Sequence, residues 1–248
     1  VHLNIGLDGS VEYLKSTNTK FTHTNYNSGI CEGVNLASKL ASHNFIVYAH
    51  DDFYFCPNWD KYLYEEIDKL GHEYFYLSSS TIGTSGNLLD FGDSYKNFNE
   101  EKFLNNYHKI HINELQGSTW APHVVHKSLW NKVGGFSEEF FPGAGSDPDF
   151  NMKLWNLGVR IFKNLPKSRI YHFKSKTLRR NISSIGSKSG KLFLKKWGIS
   201  IKFFRKYYLE SNTIFKGSLS GPNKNFFYYV DLFLCRMNYF YLKFFFKK

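Results

Sequence analysis

The chain has 248 residues, of which 42% are hydrophobic, enough for the core of one large domain or of one domain with an appendage. Its three cysteines, Cys31, Cys56 and Cys235, show no CxxC spacing. This number and spacing argue against a disulfide scaffold and against a zinc site, and are typical of a reducing compartment. We expect neither a signal peptide nor a membrane-spanning helix, because the amino end lacks a charged n-region and no apolar run reaches ~18 residues.

The net charge of +11 is unevenly distributed along the chain. Residues 1–150 contain 10 Lys and Arg against 19 Asp and Glu, whereas residues 151–248 contain 22 against 2. The acidic part suits a cation or a basic partner, and the basic part suits phosphates, nucleic acid or an anionic membrane. A solubilising surface would explain the net charge but not its sharp division.

Short strand-like runs alternate with helix-like segments through the first two thirds of the chain. Alternating and continuous apolar runs predict strands at 2–7, 44–49, 73–80, 118–127, 159–163 and 168–173. Helical spacing predicts helices at 30–43, 58–71, 98–108, 128–136 and 146–158. This alternation predicts an α/β fold with a mixed sheet between two helical layers.

The helix at 146–158 has clear terminal signals. We expect Asp147 at its N-cap, Pro148 at its first position and Gly158 just beyond its end. An N-terminal carboxylate is stabilised by the helix dipole and free N–H groups, so the sequence predicts an ionised Asp147 of lowered basicity.

The character of the sequence changes near residue 181. Gly and Ser at 181–191 predict a flexible linker, and 192–210 predict a basic aromatic helix or helix pair. After a second break at 217–224, residues 225–248 have helical aromatic spacing. We therefore divide the chain into a domain at 1–180 and a helical, basic, aromatic extension at 181–248. The last helix is expected to pack on the domain or a partner subunit, or to lie in a membrane interface.

The run "IVYAHDD" places His50, Asp51 and Asp52 at the end of a buried strand. Ligands of α/β sheets bind beyond the carboxyl ends of strands. Paired carboxylates there suit Mg²⁺ or Mn²⁺, which take oxygen ligands and share coordination with substrate phosphates. The alternative is that one aspartate caps the next segment and the other is solvated.

Five segments, taken in order, resemble a family 2 glycosyltransferase of the GT-A fold, and the resemblance covers roughly residues 3–177. The segments are "LDGS" (7–10), "NSGICEGVNLA" (27–37), "AHDDFYF" (49–55), "VGGFSEEFFPGAGSDPDF" (133–150) and "RIYHFKSKT" (169–177). The resemblance implies a metal-dependent, inverting transfer of one sugar from a nucleotide-diphosphate donor to an acceptor hydroxyl.

The resemblance also implies roles for individual residues. Asp147 corresponds to the catalytic base, and Asp52 and His172 to ligands of Mg²⁺ or Mn²⁺. Asp8, Asn35 and Asp51 are assigned to the nucleotide-sugar donor.

Other polar and aromatic residues leave alternatives open. Trp120 is either a sugar-stacking platform beside the acceptor or a core aromatic, and Asp149 is either an acceptor contact or a charge in the first helical turn. Lys and Arg at 174–180 could cover the diphosphate. His123 and His126 are interpreted as hydrogen-bonded structural groups.

The sequence departs from the family pattern at several points. The family's first strand should precede residue 1, His50 stands where many relatives have an acidic residue, and Ser146 replaces a Glu. The QxxRW signature of processive synthases is absent, which favours single-sugar transfer.

The resemblance implies a glycan or lipid-linked acceptor, a role in cell-surface polysaccharide synthesis, and a cytoplasmic location with peripheral contact to an anionic membrane. Two alternatives come from other classes: a non-catalytic sugar- or nucleotide-binding remnant, and a nucleic-acid-binding protein using the basic tail. No nucleic-acid-binding motif supports the latter, so no nucleic acid partner is expected.

Overall fold

The computed structural model describes residues 1–83, 91–173 and 182–245, and for 182–187 it describes the backbone alone. The helices are α1 (Ser10–Ser16), α2 (Gly29–Ser38), α3 (Trp59–Leu70), α4 (Glu100–Leu104), α5 (Lys127–Val133), α6 (Ser146–Asn156), α7 (Ile182–Trp197), α8 (Ile201–Phe203) and α9 (Phe226–Phe245). Short 3-10 turns lie at Tyr107–Lys109 and Glu138–Phe140, and a π-helical turn at Phe204–Tyr208 follows α8 directly.

The strands form two sheets of unequal size. They are β1 (His2–Asn4), β2 (Thr22–Thr24), β3 (Phe45–Tyr48), β4 (Phe53–Phe55), β5 (Phe75–Ile82), β6 (His123–His126) and β7 (Ile161–His172). The larger sheet has the order β3-β6-β5-β7-β4, in which only the β5–β7 pair is parallel. β1 and β2 form a separate parallel pair. The predicted α/β fold with a mixed sheet is confirmed.

Helices cover both faces of the central strand β5. Phe75 and Leu77 pack in one apolar cluster with Leu63 of α3, whereas Tyr76 packs in another cluster with Phe150 of α6. Because successive side chains of a strand point to opposite faces, these contacts place helical layers on the two sides of the sheet.

Several predicted boundaries are wrong. The strands expected at 159–163 and 168–173 are one strand, β7, with an irregularity opposite Ser79 and Ser80. The expected strand at 2–7 ends at Asn4, because Ile5 and Gly6 adopt left-handed backbone conformations.

The linker expected at 181–191 is also wrong, because residues from Ile182 onward belong to α7. Phe193 and Leu194, at the carboxyl half of α7, are buried in the same apolar cluster as Phe150 and Phe162. Tertiary packing of this kind outweighs the weak helix propensity of Gly and Ser. The predicted helix pair at 192–210 and the helix from 225 onward are present, and the division near residue 180 stays a prediction.

The start of α6 also differs from its prediction. The N-cap is Gly145, which has a left-handed φ of 83°, and the helix begins at Ser146. Asp147 and Pro148 are therefore its second and third residues, and the Asp147 side chain makes no capping bond. Gly158 follows the helix end as expected, with a left-handed φ of 101°.

A buried ion pair connects the sheet to α3 and to the loop before β6. Lys163 of β7 is 3% exposed, and its Nζ lies 2.7 Å from Glu66 Oε1 and 2.9 Å from Glu114 Oε1. The ammonium also lies over the Phe215 ring, 4.5 Å from its centroid. Lys163 thus joins three elements that are distant in sequence.

We expect Lys163→Met to lower the free energy of unfolding by about 3 kcal/mol, because it leaves the largely buried Glu66 without its cation. Urea unfolding measures the change. The control is Lys61→Met, whose exposed pair with Glu65 spans 3.8 Å and should change stability by less than about 0.5 kcal/mol. Equal losses would show that the Lys163 pairs stabilise no more than a surface pair.

Candidate functional site

Three potential metal ligands meet where β3 ends. Asp52 lies in the turn between β3 and β4, and the antiparallel register of β4 with β7 places Phe53 opposite His172. His172 Nε2 is 3.0 Å from Asp52 Oδ2, and His50 Nδ1 is 3.9 Å from Asp52 Oδ1. One ligand atom from each of these three side chains lies within 4.8 Å of the others. We call His50, Asp52 and His172 the strand-end cluster.

The Asp52 carboxylate is only partly satisfied within the protein. Its Oδ1 is buried and has no hydrogen-bond partner among the described residues. A buried acceptor without a partner is costly, since it has lost its bonds to water. This unpartnered oxygen, directed toward the His50 ring, fits a site that accepts a cation.

The His50 ring is held by a hydrogen bond and by stacking. Its Nε2 lies 2.7 Å from the Tyr48 hydroxyl, and the ring stacks on Phe53 with centroids 4.9 Å apart. Burial lowers the pKa of His50, although the Asp52 carboxylate opposes this effect. The imidazole is therefore neutral near pH 7, with Nδ1 facing Asp52, and a neutral imidazole is the form that binds metals.

The cluster fits a divalent cation of borderline softness. Two ligand atoms bound side by side to an octahedral ion at about 2.1 Å lie about 3.0 Å apart, which is the separation of His172 Nε2 and Asp52 Oδ2. Two imidazole nitrogens with a carboxylate suit Mn²⁺ or Zn²⁺ better than Mg²⁺, which prefers oxygen. The structure brings together the predicted ligands Asp52 and His172 and adds His50.

Asp147, the predicted catalytic base, is the second residue of α6 and is partly buried. Its Oδ1 is buried without a hydrogen-bond partner in the described part of the chain. Burial raises the pKa of Asp147 to about 7. The predicted lowering of its basicity is therefore wrong, because loss of solvent outweighs the helix N-terminus.

Tyr48 lies close enough to Asp147 and to the strand-end cluster to feel the charge of both. Burial raises the pKa of the Tyr48 phenol, and the carboxylates of Asp147, Asp52 and Asp51 act in the same direction. The phenol thus stays neutral, and its hydroxyl is hydrogen-bonded to His50 Nε2. The two carboxylates expected to act in the reaction, Asp52 and Asp147, lie near one buried tyrosine.

Comparison with known proteins relates the first half of the chain to a family. Residues 7–123 match the family model described as glycosyl transferase family 2. The resemblance to family 2 glycosyltransferases is confirmed. No curated protein matches the chain in sequence.

Solved glycosyltransferase structures share the fold at low sequence identity. Residues 1–349 of S. aureus TarS, in complex with UDP-GlcNAc, align with a TM-score of 0.53 and 12% identity, covering 96% of this chain and 61% of that one. GalNAc-T7 with UDP, GalNAc and Mn²⁺ aligns with a TM-score of 0.50 and 12% identity, covering 77% and 42%. The chain spans less than two thirds of either structure, and the likeness supports the GT-A fold alone.

Asn35, predicted to contact the donor, instead joins α2 to the segment after α5. Its Nδ2 donates to Phe136 O at 2.9 Å and to Glu138 Oε1 at 3.1 Å, and its Oδ1 accepts from Phe136 N at 2.9 Å. Gly135 has a φ of 64°, and a Cβ there would lie 2.4 Å from Asn35 Oδ1. Both ends of the amide are thus occupied by the backbone of Phe136.

Asp149, the second aspartate of the same block, is fully buried and fully partnered. Ser137 Oγ donates to its Oδ2 at 2.6 Å, and Trp197 Nε1 donates to its Oδ1 at 2.8 Å. Lys196 Nζ lies 2.9 Å from Oδ1. The acceptor contact predicted for Asp149 is not supported by this environment, whereas the helix-charge alternative agrees with it.

The other predicted donor and acceptor residues have simpler surroundings. Asp8 is exposed, and its bonds from the Ser10 hydroxyl and N–H lower the pKa of its carboxyl. Asp51 is also exposed and lies outside the strand-end cluster. Trp120 is partly buried, and its Nε1 donates to Ser79 O at 3.2 Å. The Lys and Arg residues at 174–180, which were predicted to cover the diphosphate, lie outside the described residues.

His123 is structural, as the sequence suggested. It is fully buried, its Nδ1 lies 2.8 Å from the Tyr76 hydroxyl, and burial lowers its pKa to about 3. His126 caps α5 by accepting from Ser128 N. Sequence reasoning did not assign His50 as a ligand, although imidazole is a common metal ligand and His50 lies directly before Asp51 and Asp52.

Proposed function

We propose that this chain is a metal-dependent, inverting glycosyltransferase that transfers one sugar from a nucleotide-diphosphate donor to an acceptor hydroxyl. The observation that carries the proposal is the Asp52 carboxylate, with its unpartnered Oδ1, between His50 and His172 in a chain that matches family 2. TarS was solved with UDP-GlcNAc, and GalNAc-T7 with UDP, GalNAc and Mn²⁺. We propose the same kind of donor and the same ion for this chain.

His50, Asp52 and His172 would hold the cation, with donor phosphate oxygens completing its shell. The predicted ion is Mg²⁺ or Mn²⁺, and the two imidazoles favour Mn²⁺. A bound divalent ion stabilises the negative charge that develops on the departing diphosphate. The protein's part is to keep His50 neutral and oriented through Tyr48 and to present Asp52 beside it.

Donor binding is assigned to two exposed carboxylates and one positioning residue. Asp8 is proposed to contact the base or ribose, and Asp51 to lie beside the ribose and diphosphate. Asn35 is proposed to act indirectly, because its amide is occupied by the backbone of Phe136 and the side chain of Glu138. Trp120 remains the proposed stacking platform for the acceptor sugar.

Asp147 is proposed as the base that takes the proton of the acceptor hydroxyl. A carboxylate with a pKa of about 7 is well matched to proton transfer near neutral pH. In this scheme the acceptor oxygen attacks the anomeric carbon, the bond to the diphosphate breaks, and the proton moves to Asp147. A single base on the face of the sugar opposite the leaving diphosphate directs the acceptor to that face, which gives inversion at the anomeric centre.

The cellular setting follows the family resemblance and the charge of the chain. We propose a hexosyl or related, non-processive transfer to a glycan or lipid-linked acceptor in polysaccharide biosynthesis. The proposed location is cytoplasmic, with peripheral contact to an anionic membrane. No helix in the described ranges is long and apolar enough to cross a bilayer.

We expect the chain to hydrolyse or transfer at least one donor in a screen of UDP-, GDP- and dTDP-sugars with Mn²⁺, and EDTA to abolish the turnover. The anomeric configuration of the product, followed by NMR, tests inversion. Binding of a nucleotide sugar without turnover would favour the non-catalytic remnant instead. Salt-sensitive binding of DNA or RNA without donor binding would contradict both.

A further inference from the structure

The last helix, α9, has an apolar stripe on its inner side. Tyr228, Cys235 and Leu242 are buried and lie seven residues apart, so they form one line along the helix. They belong to the same apolar cluster as Phe193 of α7 and Phe203 of α8. This stripe accounts for the attachment of α9 to the rest of the chain.

A second apolar surface covers the opposite side of α9. Its members recur every three or four residues and are 53–74% exposed: Phe226, Tyr229, Phe233, Met237, Phe240 and Phe244. We call these six residues the outer face. Eighteen residue steps separate its ends, so the outer face is about 27 Å long. A continuous exposed apolar patch of this length marks an interaction site rather than an ordinary soluble surface.

Basic residues border the outer face. Arg236 and Lys243, seven residues apart on α9, lie along one border between the buried stripe and the outer face. Residues 182–245 as a whole contain eleven Lys or Arg and two acidic residues. A second copy of the chain would therefore bring two strongly basic surfaces together, whereas an anionic partner would neutralise them.

A basic concavity lies beside the first half of α9. Lys202, Arg205 and Lys206 line a cavity of about 660 Å³. Lys206 bonds Asp231 of α9 at 2.9 Å, which fixes this cavity next to the helix. Arg205 Nε is buried without a hydrogen-bond partner within the described residues, and the Arg205 guanidinium adds positive charge to the wall of this cavity.

We propose that the outer face of α9 and these flanking basic residues form a docking surface for an anionic lipid bilayer. Aromatic side chains insert at the boundary of headgroups and acyl chains, and Lys and Arg bind the lipid phosphates. The helix lies in the plane of the interface, since α9 is too polar to cross a bilayer. This inference rests on the peripheral contact proposed above but does not require sugar transfer.

The test is flotation of the full chain, without donor, on phosphatidylglycerol-containing and pure phosphatidylcholine vesicles. We expect binding to the anionic vesicles at least tenfold stronger than to the neutral ones. Phe233→Gln with Phe240→Gln should weaken anionic binding at least tenfold. The matched control is Tyr13→Gln with Tyr64→Gln, two helical tyrosines of similar exposure outside α9, which should leave binding unchanged.

Several results would overturn the proposal. These are no vesicle binding by the full chain, equal binding by the Phe233 and Phe240 variant, or a dimer that this variant dissociates without any vesicle binding. The last result would assign the outer face to a second copy. A chain that floats with vesicles but turns over no donor would support this inference and contradict the proposed catalysis. A chain that turns over a donor but does not float would contradict this inference and support the proposed catalysis.

Discussion

Asp147→Asn is expected to slow sugar transfer by about 100-fold or more and, at the same time, to stabilise the folded protein above pH 7. Burial raises the pKa of this carboxyl to about 7, so the folded state favours its protonated form. As the pH rises from the unfolded pKa of about 4 through 7, ionisation costs the folded state more than the unfolded state, and stability falls. Asparagine removes this cost. The free energy of unfolding should therefore rise by about 2–4 kcal/mol at pH 8 and stay unchanged below pH 4.

The same substitution removes the proposed base. Loss of general-base catalysis should lower kcat by about 10²–10⁴-fold. In the wild type, we expect kcat/KM to fall as the pH drops below about 7, because Asp147 must be ionised to accept the proton. Urea unfolding at pH 4 and pH 8, together with initial rates, measures both effects.

The neighbouring Asp149 provides the control with the opposite sign. Its carboxylate accepts from Ser137 and Trp197 and pairs with Lys196, so Asp149→Asn should destabilise the protein by about 1–3 kcal/mol. If both substitutions destabilised the protein equally at pH 8, Asp147 would be an ordinary structural aspartate. Retention of full turnover by Asp147→Asn would remove it from the mechanism.

The opposed fates of Asp147 and Asp149 show what local sequence can and cannot predict. The helix itself was predictable from its spacing and from Gly158 beyond its end. Its first residue was not, because Gly145 supplies a left-handed N-cap that the Asp-Pro pair obscured. Asp147 is partly buried with an unpartnered Oδ1, whereas Asp149 is fully buried with three partners. The partners of Asp149 come from α7 and from the Ser137 segment, which lie outside the local sequence of α6.

The fold as a whole followed from hydrophobic alternation, which is a local property. The strand-end cluster did not, because it depends on the register of β4 with β7, which places His172 beside Asp52. The same limit explains the wrong linker at 181–191. Its Gly and Ser content predicted a flexible chain, and the helix there is stabilised by burial of Phe193 and Leu194 against the core.

Asp52→Ala is expected to reduce Mn²⁺ binding at least 100-fold, measured by EPR with UDP present as the nucleotide diphosphate, and to abolish turnover. Asp52 is the central member of the strand-end cluster, because its Oδ1 faces the His50 ring and its Oδ2 faces the His172 ring. Asp51→Ala is the matched control: Asp51 is exposed and outside the cluster, so Mn²⁺ binding should persist while KM for the donor rises. Equal loss of Mn²⁺ in both variants would contradict this assignment.

His50 should determine which ion the cluster prefers. His50→Asp replaces a borderline nitrogen by a hard oxygen, so we expect the ratio of Mg²⁺ to Mn²⁺ affinity to rise at least tenfold. Tyr48→Phe keeps the ligand but removes its hydrogen-bond partner, and should weaken Mn²⁺ binding about tenfold without changing that ratio. An unchanged ratio in His50→Asp would leave Asp52 and His172 as the protein's ligands and return His50 to a packing role on Phe53.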